Sequence, residues 1–149
     1  GSTTLATKTG ENKCNFCDNP ARDHKIICVV EKETDLATIE KSGVYKGLYH
    51  VLGGLFSALD TAVPKNLRLP ELAARIQESK KITEEIILAL SPSHEGDLTA
   101  HYLERALRPF KTKITRLGRG LPYGADVEFA DAETLSGALE GRKEINANR

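Results

Sequence analysis

"KIICVVE", residues 25–31, sets five consecutive apolar residues between a lysine and a glutamate. Four of the five are β-branched, and the run is too short for a helix. It reads as a strand buried on both faces, because a half-exposed strand would alternate apolar with polar. The next segment, "TDLATIEKSG" at 34–43, changes period. Leu36 and Ile39 share a helical face, Thr34 or Asp35 is placed to cap the start, and Gly43 stops the helix. A buried strand followed at once by an amphipathic helix is the first half of a βαβ unit.

The same alternation continues down the chain. "YKGLYHVLGG" (45–54) is a second strand that ends in paired glycines. "SALDTAVPKNLRL" (57–69) reads as loop, punctuated by Asp60 and Pro64. "LPELAARIQESKK" (69–81) is a helix with Pro70 in its first turn, where a missing N–H costs nothing. Leu72, Ala73 and Ile76 face one way. "EEIILALS" (84–91) is a third buried strand. "GDLTAHYLERALRPF" (96–110) is helical, with Leu98, Tyr102, Ala106 and Phe110 recurring at the helical period. "KTKITRLG" (111–118) is a fourth strand. Glycines and Pro122 then open a loop, read as a binding loop carrying Arg116 and Arg119 rather than a plain surface connection, with "DVEFA" (126–130) as a short strand. "DAETLSGALEGRK" (131–143) closes as a helix capped by Asp131. Strands alternating with helices of about ten residues predict an α/β fold, a mostly parallel sheet with helices on both faces.

Composition agrees with a globular domain. The chain has 149 residues, 40% hydrophobic and 28% charged, and 21 basic residues balance 21 acidic ones. Zero net charge offers no whole-domain attraction to nucleic acid. No apolar run approaches the ~20 residues that span a bilayer. Three cysteines, two of them as Cys14-x-x-Cys17, fit a reducing, cytoplasmic compartment better than a disulfide scaffold. The opening Gly-Ser reads as a tag remnant and residues 1–13 as a flexible lead-in. The absence of methionine, even at position 1, leads to the expectation that the native start lies elsewhere.

Three acids fall where the carboxyl ends of parallel strands line a ligand crevice: Glu31 after the first strand, and Glu95 and Asp97 after the third. Convergent carboxylates repel one another unless a cation sits among them, either Mg²⁺ or the Arg or Lys of a partner. Alternatively, Glu95 and Asp97 serve only the dipole of the helix they open. His50 reads as a hydrogen-bonded structural residue and Cys28 as an inert core thiol. The glycines of "LGRGLPYG" (117–124) follow neither common phosphate-binding pattern.

"ICVVE", "LYHVLGG", "HEGDLTAHYL", "TRLGRGLPYGADVEFADAETL" and "ALEGR" together resemble the RecR family of bacterial recombination mediators, in family order over residues 14 to about 142. The resemblance implies a Toprim domain, here residues 26–127, preceded by a partial zinc-finger segment at 14–25. A C-terminal helix and tail, 128–149, would serve self-association. It implies a non-catalytic role in recombinational DNA repair, with RecO and RecF placing RecA on single-stranded DNA coated by single-strand-binding protein. Glu31 matches the Toprim glutamate, and Glu95 and Asp97 stand where the superfamily commonly has two aspartates. In RecR proteins this acidic cluster looks like a RecO docking surface; in Toprim enzymes it holds Mg²⁺. Cys14 and Cys17 match the second pair of a four-cysteine zinc site, so the expectation is either a fragment cut within the finger or a source protein that has lost the first pair, with zinc incomplete in both cases. A homo-oligomeric clamp and DNA contacts in the full-length protein are implied as well.

Overall fold

A computed structural model describes residues 20–57, 67–78, 83–117 and 123–145. The elements are β1 (Asp23–Val30), α1 (Glu33–Ser42), β2 (Gly47–Val51), α2 (Leu69–Glu78), β3 (Glu85–Leu88), α3 (His94–Leu107), β4 (Lys113–Arg116), α4 (Ala132–Glu140) and β5 (Lys143–Glu144). The sheet has five strands in the order β2-β1-β3-β4-β5. The first four strands run parallel and β5 is antiparallel. The α/β reading of the sequence, with both sheet faces covered, is what the fold shows.

The quoted run explains the layering. Cys28 and Val30 point to one side, where Leu36 and Ile39 of α1 and Leu135 and Leu139 of α4 cover them. Ile27 and Val29 point to the other, against Leu72 of α2 and Ala100, Leu103 and Leu107 of α3. A central strand with helices on both faces has no solvent side, hence its unbroken apolar run. The Cys28 thiol is fully buried, and burial pushes its pKa up, which keeps it inert.

At the β2 edge, arginine side chains reach the strand's outward-facing carbonyls. Arg22 donates to the Gly47 carbonyl (2.7 and 3.0 Å) while clamping both oxygens of Glu40, and Arg75 donates to the Tyr49 carbonyl at 2.8 Å. His50, fully buried in β2, lies 2.8 Å from the Arg68 carbonyl through Nε2 and 3.3 Å from Arg75 through Nδ1. Those contacts require Nε2 to carry the proton. Burial, aided by the neighbouring Arg75 charge, pushes the imidazole down to about 3. His50 is a structural residue, as its lone position in a strand suggests.

Three local expectations are corrected. Helix α1 starts at Glu33 after Lys32, and no side chain caps it; Thr34 and Asp35 lie inside its first turn. The stretch 126–130 is not a strand, because Val127–Phe129 forms a 3-10 turn with Val127 buried. In α3 the period is right but the phase is displaced. Ala100, Leu103 and Leu107 are buried, whereas Leu98, Tyr102 and Ala106 lie on the flank, where Tyr102 meets the Phe56 ring edge-on at 5.6 Å. Both stripes are apolar, and only the position of the sheet selects between them. The Asp131 cap is as expected, accepting from the Thr134 N–H at 2.7 Å.

Candidate functional site

The strand order creates the site. From β1 the chain crosses to β2 on one side, then passes to β3 on the other side of β1. The connections leaving β1 and β3 therefore diverge, opening a crevice at the carboxyl ends of these two strands. Glu31 is the residue after β1, and its carbonyl accepts from the Gly53 N–H at 2.8 Å. The β3–α3 connection forms the opposite wall. Ser93 caps α3 by accepting from the Gly96 N–H at 3.0 Å, which sets Glu95 and Asp97 in the exposed first turn.

A third segment, 123–130, ties the two walls together. The Gly124 N–H donates to the Pro92 carbonyl (2.6 Å) and the Val127 N–H to the Ser91 hydroxyl (3.0 Å). The Thr38 hydroxyl of α1 donates to the Glu128 carbonyl at 2.8 Å, and Lys32 pairs with the Glu128 carboxylate.

The acids fall into two neighbourhoods. Around Glu31 stand Lys32, Asp126 and Glu128; half-burial and the two acids raise the Glu31 pKa, and Lys32 opposes them. Asp35 belongs here too, only 1% exposed, and neither carboxylate oxygen meets a well-formed hydrogen-bond partner among the described residues. Burial, reinforced by Glu31 and Glu128, pushes it up to about 6 against the pull of Lys32. In the second neighbourhood Asp97 accepts from Arg116 at 2.7 Å and from the Tyr123 hydroxyl at 3.1 Å, with Glu95 acting on the same tyrosine. Among the described residues, no group of three or more His, Cys, Asp or Glu side chains is arranged to hold a metal ion.

The sequence matches the family model of the Toprim domain over residues 25–118 and that of the RecR C-terminal region over 120–143. It is 48% identical to the recombination protein RecR of Roseiflexus sp. (strain RS-1) over 132 residues, 89% of this chain and 63% of that protein. It is 46% identical to the RecR of Prochlorococcus marinus (strain AS9601) over 138 residues, 93% of this chain and 68% of the relative. The RecR of Chlorobaculum tepidum is 45% identical over 140 residues, 93% of this chain and 69% of that one.

The chain belongs to the RecR family.

The resemblance read from the sequence motifs is thereby confirmed, as is the Toprim fold. The chain spans about two-thirds of the length of these RecR relatives, 63% of the Roseiflexus protein. Of the site residues expected for a RecR protein, Glu31, Glu95 and Asp97 all lie on the carboxyl-end rim, Glu31 with one set of neighbours and the other two with another. Cys14 and Cys17, and with them the zinc site, lie outside the described residues, as does Arg119. Arg116, expected on a binding loop, instead ends β4 and is committed to Asp97.

Sequence reasoning missed three members of the rim. Asp35 was assigned to a cap, and Asp126 and Glu128 to a strand. A first-turn acid four residues after a strand-end acid was the available signal for Asp35. Nothing local announces that Asp126 and Glu128 fold back onto β1.

Asp35 has a measurable consequence. Its folded pKa, about 6, lies above its ordinary value of 3.8, so its proton stabilises the fold. That stability is complete below the ordinary value and is lost as pH rises through about 6. Asp35→Asn is therefore expected to be more stable than the parent by about 1 kcal/mol at pH 8, allowing for screening by solvent, or about 2–4 °C in Tm. The gain should vanish below pH ~4. Thermal unfolding of both proteins across pH checks it. His50 titrates in both and cancels in the difference.

Proposed function

We propose that this chain is a non-catalytic docking domain in recombinational DNA repair, acting in the cytoplasm with RecO and RecF to place RecA on single-stranded DNA coated by single-strand-binding protein. The acidic crevice is the RecO-binding surface. One observation carries the reading: among the described residues six carboxylates, Glu31, Asp35, Glu95, Asp97, Asp126 and Glu128, lie at the carboxyl-end rim, with Lys32 paired to Glu128 and Arg116 to Asp97. The surplus of negative charge suits a basic protein surface and opposes a phosphate backbone. The name shared by the relatives, recombination protein RecR, supports the pathway. Self-association through the terminal segments, and DNA contacts made by the whole protein, belong to the same proposal.

The structure sharpens the test. Reversal at Asp97 would also release Arg116 and Tyr123, so Glu31 and Glu95 are the cleaner positions. Calorimetric titration with RecO is expected to show each of Glu31→Lys and Glu95→Lys weakening binding about tenfold or less, and the double variant about a hundredfold. The losses should shrink at high salt. Unchanged affinity in the double variant would remove the acidic rim from the interface.

The second reading is a Mg²⁺-dependent Toprim enzyme, motivated by Glu31 at the position of the Toprim glutamate. Labelled DNA and nucleotides incubated with Mg²⁺ or Mn²⁺ decide between the two. Turnover that disappears in Glu31→Gln would replace docking with catalysis.

A further inference from the structure

Tyr123 and Phe129 are the two most exposed large hydrophobic residues described, at 70% and 79%, ahead of Val44 and Ile145 at 39% and 37%. Both lie on the segment that bridges the walls of the crevice. A single exposed apolar side chain needs no explanation. Two aromatics on one pinned segment among carboxylates are a different matter.

The backbone around Phe129 is held from several directions. The Phe129 N–H donates to the Asp126 carbonyl (3.2 Å) and the Ala130 N–H to the Val127 carbonyl (3.0 Å), closing the turn. Val127 is buried beneath it, and Glu128 is tied to α1 through Thr38 and Lys32. The residues beside Phe129 in the chain are anchored, which fixes the backbone from which its ring projects. Tyr123 is oriented by its hydrogen bond to Asp97. The backbone beneath Phe129 and the Tyr123 hydroxyl are held in place, so a partner that covers the rings has less of this side left to order.

From this arrangement, and resting on the docking reading above, we infer that Tyr123 and Phe129 are the apolar anchors of the docking surface, and that the occupant is a protein segment carrying an apolar side chain flanked by Lys or Arg. The charge decides the class of occupant. Glu95 and Asp97 stand beside Tyr123, and Asp126, which acts on Glu31, opens the turn that carries Phe129, so cations offered by a partner on either side of an apolar contact would meet carboxylates. Bases could stack on the same rings, but their phosphates would meet a rim on which acids outnumber the described cations.

The test separates the anchors from the rim charges. RecO is titrated into the wild-type chain, Phe129→Ala, Tyr123→Ala and Glu31→Lys at ~50 mM and ~500 mM salt. Each aromatic variant is expected to bind at least ~10-fold more weakly at both salt concentrations, since the lost contact is apolar. Glu31→Lys should lose affinity mainly at low salt. Phe129 is exposed, so unchanged thermal unfolding of Phe129→Ala confirms that the fold is intact. Tyr123→Phe keeps the ring and is expected to recover most of the affinity lost in Tyr123→Ala. Wild-type affinity in Phe129→Ala, with Glu31→Lys weakened, would overturn the anchors and leave the acidic rim standing. No binding by the wild-type chain would overturn both. Loss of self-association or of single-stranded DNA binding in Phe129→Ala, without loss of RecO binding, would assign the rings to another occupant and overturn the proposal.

Discussion

Gly96→Ala is expected to destabilise the chain by about 3 kcal/mol or more, lowering Tm by about 6–12 °C. On helix propensity alone the change is favourable by ~1 kcal/mol, since alanine is the better helix former. Sterics outweigh it. A Cβ at position 96 would sit 2.1 Å from the Ser91 carbonyl oxygen, a backbone atom that cannot swing aside. Relief requires the first turn of α3 to move away from the end of β3, taking Glu95 and Asp97 with it. The same shift strains the Ser93 cap and the Arg116–Asp97 pair. Gly137→Ala in α4 is the matched control, because nothing lies within 4 Å of the Cβ it would add. That variant should gain about 0.5–1 kcal/mol. Thermal unfolding of the two variants beside the parent reads both signs. A Gly96→Ala protein as stable as Gly137→Ala would refute the close approach of α3 to the end of β3.

Arg142→Ala should cost about 2–4 kcal/mol, by removing the partner of a buried carboxylate. Glu85, at the start of β3, is 9% exposed. Arg142 donates to its two oxygens at 2.7 and 3.3 Å, and the Thr115 hydroxyl donates at 2.8 Å. Burial alone would raise the Glu85 pKa, but Arg142 and Thr115 together hold it below its ordinary 4.5. A depressed pKa contributes stability above the ordinary value, and the contribution is lost as pH falls through the folded one. The penalty of Arg142→Ala is therefore expected in full at neutral pH and to shrink in acid, where Glu85 takes up a proton. Glu85→Gln added to Arg142→Ala should restore part of the loss, because the orphaned charge is gone. The pair also fastens the C-terminal segment: Arg142 donates to the Leu139 carbonyl at the end of α4 and precedes β5, which pairs with β4. Hydrogen exchange at the Ile145 N–H, bonded to the Ile114 carbonyl at 2.8 Å, is expected to accelerate in Arg142→Ala.

The strands and helices were legible because their signals are local. "KIICVVE" and "EEIILALS" declare strands with no solvent face, and the segments between them carry a helical period. Parallel pairing follows, since strands joined by helices must cross over. Where local reading failed, a distant element made the choice. The buried stripe of α3 was fixed by where the sheet lies, and 126–130 became a 3-10 turn because Val127 is drawn into the core.

The candidate site was half legible. Residue type and strand-end position placed Glu31, Glu95 and Asp97 on the rim. Their surroundings are contacts between residues far apart in the chain: Lys32 with Glu128, Arg116 with Asp97, and Glu85 with Arg142. The amino-acid order alone determined the layered α/β plan, because burial on both faces and helical period are properties of a few neighbouring residues. Only the tertiary structure decided which acids are neighbours, which cations oppose them and which aromatics are left uncovered. Electrostatic environment and burial depend on distance through space, and folding brings together side chains that the linear order keeps nearly a hundred positions apart.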